Sequence, residues 1–123
     1  MIQTETQLQT MDNSGARTVQ CIKTLGGSFK KFSQSSDYIL VSIKTLRLIR
    51  KVKPGEIYLG LITRTKKNTK FKDGSISNFN TNSLILVNRQ KKILGTRVFG
   101  PVSRKLRKKK FLRILLMCGK KIY

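Results

Sequence analysis

Paired basic side chains recur along the whole chain, and their type and spacing suggest a binding chemistry. The pairs and runs are Lys30-Lys31, Arg50-Lys51, Lys66-Lys67, Lys91-Lys92 and Lys108-Lys109-Lys110. Each of these cations can contact a phosphate, and each neutralised phosphate releases condensed counterions, so the gain accumulates over many contacts. The pattern therefore predicts a surface for a dense polyanion, and nucleic acid is the natural partner.

The overall charge is too one-sided for these residues to serve only solubility. The 123-residue chain has 27 Lys and Arg against 5 Asp and Glu, a net charge of +22, and no acidic residue follows Asp73. Surfaces that only keep a protein soluble intersperse both signs. A folded domain with this imbalance repels itself, so we expect a polyanion to neutralise it.

Residues for catalysis or metal binding are scarce. The chain has no His, and its few acids are scattered, with Asp12, Asp37 and Asp73 in turn-forming contexts. The two cysteines, Cys21 and Cys118, have no partners at metal-ligand spacing. We therefore predict a protein that is not an enzyme and uses no cofactor or metal, with Cys21 as a small buried thiol.

Three phenylalanines lie among the lysines. Phe29, Phe32 and Phe71 are candidates for stacking on nucleic-acid bases, because single-strand binders present aromatic platforms beside cationic grooves. The alternative is packing in the core or in a hairpin. Both interpretations stay open from the sequence.

Short apolar or alternating segments separated by turn formers predict a mainly β fold. An apolar content of 38% is sufficient for a modest core, and we expect one domain over residues 1–123. This pattern favours a small antiparallel barrel or sandwich. The predicted strands are 7–11, 18–22, 38–43, 57–65, 84–88 and 111–117.

Two further elements are expected outside these strands. Asp73-Gly74 predicts a hairpin over about 64–82 that projects from the body, because its flanks are too polar for a core. Pro101 and the helix formers after it predict a basic helical segment over about 101–110. We also expect positive φ at three glycines, namely Gly15, Gly74 and Gly95.

Several segments together resemble one protein family, the large-subunit ribosomal protein fourteen family. The resemblance covers the chain end to end, without a large insertion. The segments that carry it, in order, are Met1-Ile2-Gln3, Asp12-Asn13-Ser14-Gly15-Ala16-Arg17, Cys21-Ile22-Lys23, Leu25-Gly26-Gly27-Ser28, Arg64-Thr65-Lys66-Lys67, Asp73-Gly74-Ser75, Gly95-Thr96-Arg97-Val98-Phe99-Gly100-Pro101-Val102, Arg104-Lys105-Leu106-Arg107 and Phe111.

The resemblance implies a fold and a set of partners. It implies a small five-stranded antiparallel β-barrel with a projecting β-hairpin and a short C-terminal helix. It also implies binding to large-subunit rRNA and neighbouring ribosomal proteins, and a bridge to small-subunit rRNA at the intersubunit face. In the family a ribosome silencing factor docks around the segment matching Thr96-Arg97 and on the C-terminal region, which here includes Lys110.

The C-terminal quarter departs from the family pattern. Lys108-Lys109-Lys110 stands where relatives intersperse acids, and the chain ends on Lys120-Lys121-Ile122-Tyr123. Additional rRNA contact is expected there. The residues predicted to bind rRNA are Arg17, Lys23, Lys30, Lys31, Arg50, Lys51, Lys53, Arg64, Lys66, Lys67, Lys70, Arg97, Arg104, Arg107 and Lys108.

The cellular location and two rival functions complete the expectations. A bias towards Lys, Ile, Leu and Asn, together with an N-terminus unlike a presequence, predicts a mitochondrially encoded ribosomal protein; a plastid or bacterial origin is the alternative. One rival function is a packaging protein that binds duplex DNA and rRNA equally. The other is a peripheral membrane protein, which usually needs an amphipathic helix with a clear apolar face.

Overall fold

The structure, a computed structural model, describes residues 1–49, 51–108, 111–119 and 122–123, with Lys108 described by its backbone alone. Its seven strands and two helices, in chain order, are β1 (Gln7–Thr10), β2 (Ala16–Thr24), β3 (Tyr38–Leu46), β4 (Ile57–Arg64), β5 (Thr69–Lys70), β6 (Ile76–Ser77), β7 (Ser83–Val87), α1 (Lys105–Lys108) and α2 (Leu112–Met117).

Five strands close into a barrel in the order β1-β2-β3-β4-β7. The resemblance implied a five-stranded barrel, whereas the sequence patterns left a barrel or a sandwich open. The pairs β1-β2, β2-β3, β3-β4 and β4-β7 are antiparallel. The closing pair, β1 with β7, is parallel. An odd number of strands that alternate in direction must close on one parallel pair, so the barrel is mixed rather than wholly antiparallel.

Alternation on the strands fills the barrel interior. Ile39, Val41 and Ile43 of β3 are buried at every second position, and Leu8 and Val19 face them from β1 and β2. Period-two burial of this kind directs one face of each strand inward. Cys21 belongs to the same cluster at 1% exposure, which confirms it as a buried thiol, and burial raises its pKa.

A second apolar cluster lies on the outer face of β4 and β7. Leu61 and Ile85 point into it, while their neighbours Ile62 and Leu84 point into the barrel. The C-terminal segment covers this outer face with apolar side chains that include Val102, Leu106, Ile114 and Leu115. Because β7 is buried on both faces, its sequence is a continuous apolar run instead of an alternating one.

The prediction of a strand over 111–117 is wrong, because residues 112–117 form α2. An apolar run of this length has no periodicity that separates a strand from a buried helix. The helix buries Ile114 and Leu115 against the second cluster, and Phe111 makes an edge contact with Tyr38 at a 5.8 Å ring separation.

The helix predicted over 101–110 is shorter than expected, since α1 begins only at Lys105. Before it the backbone is extended and bonded to other segments. Ser103 N–H donates to Thr63 O at 3.0 Å, and Val102 forms a β-bridge with Ile122. Val102 O accepts from Tyr123 N–H at 2.9 Å. A helix that began at residue 101 would need that carbonyl as the acceptor for the N–H of residue 106.

The predicted hairpin is present as the two-stranded β5–β6 sheet, which we call the ribbon. Gly74 turns it at φ +81°, and Gly15 has φ +100°, both as predicted. Gly95 does not have positive φ, so that prediction is wrong. Glycine is required at this position for lack of space, because a Cβ would lie 2.9 Å from Asp12 Cβ and from Asn13 Oδ1.

Neither helix in the described ranges is long and apolar enough to span a membrane.

Candidate nucleic-acid interface

The predicted binding residues divide between the two ends of the barrel. Strands β2 and β4 are both antiparallel to β3, so they run in the same direction and finish at the same end. The β2–β3 loop and the ribbon therefore leave from this end, which we call the ribbon end. The β3–β4 loop and the segment after β7 leave from the opposite end.

A depression of about 260 Å³ at the ribbon end is lined by lysines from separate parts of the chain. Lys67 comes from the segment just before the ribbon, Lys70 comes from β5, and Lys105 comes from α1. Lys105 Nζ donates to Gln34 Oε1 at 2.9 Å, which anchors α1 to the β2–β3 loop. Among the described residues that line this depression none is acidic, so the lysines have no carboxylate beside them in its wall.

A second depression of about 410 Å³ lies against the β2–β3 loop. Lys23, Lys30 and Lys31 line it together with small and polar residues of the loop. Lys30 Nζ also pairs with Asp37 at 2.9 Å, so this lysine has a structural contact as well. Lys23 and Lys31 are exposed and direct their charge to solvent.

The ribbon is tied to the C-terminal segment by Arg104. Its guanidinium lies 2.8 Å from Asp73 Oδ2, bonds the Ser75 hydroxyl, and stacks over the Phe71 ring at 4.0 Å. Hydrogen bonds from Ser75 and then from Arg104 lower the pKa of Asp73 to about 2. The contact is therefore fully ionised at neutral pH, and the ribbon is held by the protein itself.

At the opposite end, the turn after β1 organises the surrounding loops. The Asn13 side chain accepts from Thr96 N–H at 2.7 Å and from Arg97 N–H at 3.1 Å. Ser14 O accepts from Lys51 N–H at 2.8 Å. Two segments that carry the family resemblance, 12–17 and 95–102, are thus in direct contact, and they present Arg97 to solvent.

Asp12 is the buried centre of this turn, with 0% exposure. Its carboxylate accepts from Ser14 Oγ at 2.6 Å, Ser14 N–H at 3.3 Å and Leu86 N–H at 2.9 Å. Burial raises the pKa of Asp12, and the hydrogen bonds from Ser14 and Leu86 act in the other direction. Asp12 therefore joins β7 to the turn and is inaccessible to a ligand.

The structure places the candidates in three groups. Arg64 is partly buried: its Nε donates to Ser83 Oγ at 3.0 Å, and burial lowers its pKa. Arg50, Lys110 and the side chain of Lys108 lie outside the described residues. The larger group lies at the ribbon end or beside the ribbon and consists of Lys23, Lys30, Lys31, Arg64, Lys66, Lys67, Lys70, Arg104 and Arg107. The smaller group lies at the opposite end and consists of Arg17, Lys51, Lys53 and Arg97.

Sequence reasoning missed Lys105 and the role of Asn13. Lys105 is one more cation in a predicted helix, and only the fold brings it to the same depression as Lys67. Asn13 was recognised as part of a turn. Its contacts to residues 96 and 97 are more than 80 positions away, so no local pattern reveals them.

Comparison with known families agrees with this architecture. Residues 1–122 match the family model described as ribosomal protein L14p/L23e. The match covers the barrel, the ribbon and the C-terminal helices, and a family of this kind has a structural rather than a catalytic role. The chain therefore belongs to the ribosomal protein L14p/L23e family and is a non-enzymatic, structural protein of the large ribosomal subunit.

Proposed function

We propose that the chain acts as one domain, residues 1–123, that binds large-subunit rRNA through the cationic surface of its ribbon end. The observation that carries the proposal is the pair of lysine-lined depressions at this end, whose lining residues include no carboxylate. Lys30 pairs with Asp37, and the other lysines of the two depressions supply cationic charge that favours a polyanion. Membership in a ribosomal family favours rRNA over the packaging and membrane alternatives.

The barrel supplies a rigid frame for these contacts. Phosphate contacts fix the position and orientation of a protein on nucleic acid without reading sequence. Specificity then comes from the shape of folded rRNA and from exposed unpaired bases. Arg64 and Arg104, which already have partners within the protein, position the ribbon in this proposal, while the exposed lysines contact phosphates.

A salt titration tests the electrostatic account. If about six phosphates are neutralised, affinity for large-subunit rRNA drops about a thousandfold or more between 50 and 200 mM salt. Changing Lys67, Lys70 and Lys105 to Gln removes three of these charges. Each lost phosphate contact lowers the salt slope by about 1. An affinity that does not respond to salt contradicts the proposal.

We also propose that the ribbon contributes to the bridge with small-subunit rRNA. Lys66 and Lys67 are exposed in the segment just before β5, and the Arg104 contact holds the ribbon in place before the subunits meet. Reversing both charges to Glu weakens subunit joining and leaves the barrel folded. Lys44→Glu combined with Arg47→Glu makes the same charge change at exposed positions outside the predicted rRNA contacts and is the matched control. Unchanged joining by the ribbon variant removes the ribbon from the bridge.

Two finer assignments rest on the resemblance and on composition. We propose that a ribosome silencing factor docks around Thr96-Arg97 and on the C-terminal region, and that neighbouring ribosomal proteins also bind the chain. Asn13 holds Arg97 in an exposed loop. Arg97→Glu then weakens capture of the factor, and Lys44→Glu, at an exposed position on β3, does not. We also propose a mitochondrial form from the Lys, Ile, Leu and Asn bias. Recovery of the chain from purified mitochondrial large subunits tests that assignment.

A further inference from the structure

One aromatic side chain at the ribbon end is presented to solvent almost completely. Phe29 in the β2–β3 loop is 95% exposed. The other two phenylalanines that lie among lysines differ: Phe32 is 44% exposed, and the Phe71 ring is covered by the Arg104 guanidinium at 4.0 Å. Of the three candidates for base stacking, Phe29 is therefore the one whose ring is free.

The loop that carries Phe29 is fixed by hydrogen bonds on both sides of the ring. Thr24 Oγ1 donates to Lys30 O at 2.5 Å, and Lys30 Nζ pairs with Asp37 at 2.9 Å. Further on, Ser33 and Ile2 exchange two backbone hydrogen bonds of 2.8 Å each. These bonds order the loop backbone around Phe29, so less backbone entropy is lost when a partner binds the ring.

The surroundings of the ring identify the kind of partner. Phe29 directly precedes Lys30, which lines the depression beside the loop together with Lys23 and Lys31. Lys30 pairs with Asp37, which leaves Lys23 and Lys31 to meet a ligand. Lysines are depleted in the cores of protein–protein interfaces, which argues against an apolar pocket on a neighbouring protein. An aromatic face flanked by a cationic groove is the arrangement that binds single-stranded nucleic acid.

We propose that Phe29 stacks on an unpaired base of large-subunit rRNA, with Lys23 and Lys31 contacting the phosphates on either side. This inference rests on the proposed rRNA binding and adds a base-stacking site to it. Stacking is tolerant of base identity, because every base has a π-face. The site therefore adds affinity and register for an exposed single-stranded segment without reading its sequence.

Three substitutions at Phe29 separate stacking from simple apolar contact. The probe is large-subunit rRNA transcribed from the same genome, and affinity is measured by filter binding. We expect Phe29→Ala and Phe29→Leu to weaken binding by about 5- to 150-fold, the usual range for losing one stacked base. Phe29→Tyr keeps the π-face and stays within about twofold of the wild type. Because no charge is removed, the salt slope stays unchanged in all three.

The control and the cross-link define the outcomes. Ile57→Ala removes a large apolar side chain that is 63% exposed on β4 and outside the predicted rRNA contacts, and it binds as the wild type does. Irradiating rRNA that contains 4-thiouridine should cross-link it to the peptide that carries Phe29. Full binding by Phe29→Leu shows an apolar contact and overturns the inference, and so does full binding by Phe29→Ala. Wild-type binding without salt dependence overturns the proposed function and this inference together.

Discussion

Replacing Asp12 with Asn is the sharpest test of how the turn after β1 holds the barrel. The carboxylate accepts from two groups of Ser14 through Oδ1 and from Leu86 N–H through Oδ2. An amide has one acceptor oxygen, so one of the two sides must face an NH₂ group. Either Leu86 N–H or Ser14 N–H is then left without an acceptor in a buried site.

The cost follows from that count. One buried backbone donor without a partner costs about 1–3 kcal/mol, and the amide recovers part of this because it no longer buries a charge. Urea unfolding followed by circular dichroism measures the change, in a buffer with enough salt to screen self-repulsion. With a typical slope, the midpoint falls by about 1 M. Glu56→Gln, which changes an exposed carboxylate, is the control and should not shift the midpoint.

The pH dependence gives a second readout. Because burial raises the pKa of Asp12, the native state binds this proton more readily than the unfolded state does. Protonation of Asp12 therefore adds to the free energy of unfolding of the wild type below the unfolded pKa of 3.8, and this contribution is lost as pH rises through the folded pKa. The stability difference between the wild type and Asp12→Asn should shrink in that direction. An equally stable variant, or a difference that grows with pH, refutes the reasoning.

Three further predictions follow from the packing. Gly95→Ala places a methyl group 2.9 Å from the 12–13 turn and should cost about 1–3 kcal/mol in urea unfolding; an unchanged midpoint means that the approach is not tight. Leu61→Ala opens a cavity between the barrel and the C-terminal helices and should cost about 2–5 kcal/mol, and a loss below 1 kcal/mol would contradict the second core. Asp73→Asn should speed amide hydrogen exchange over residues 69–77 at pH 7. Because the pKa of Asp73 is about 2, the wild-type contact with Arg104 persists above pH 3.8 and is lost only towards pH 2. Equal exchange rates in the two proteins would argue that this contact does not hold the ribbon.

Much of the barrel was predictable because its strands carry local signals. The alternating residues of β1 and the apolar runs of β3 and β7 all form strands of the barrel. The Asp73-Gly74 turn was equally visible, since positive φ favours glycine there. These features depend on residues that are close together in the sequence, so the sequence alone could predict them.

What the sequence could not reveal depends on contacts between distant segments. The run after Phe111 packs as a helix on the outer apolar face of β4 and β7, which the sequence does not reveal. Gly95 is required by its distance to the turn at Asn13, not by its own φ. Lys105 joins the ribbon lysines only once α1 has packed. The residues that bind rRNA stay a prediction, because the same basic composition is compatible with either barrel end as the main contact.

The most direct measurement of the central claim is sedimentation of the tagged chain from cell lysate through a high-salt sucrose gradient. The account predicts that the chain moves with the large ribosomal subunit at salt concentrations that release loosely held basic proteins, because barrel and ribbon dock on folded rRNA together. Recovery at the top of the gradient as free protein, with intact large subunits below it, would contradict the account.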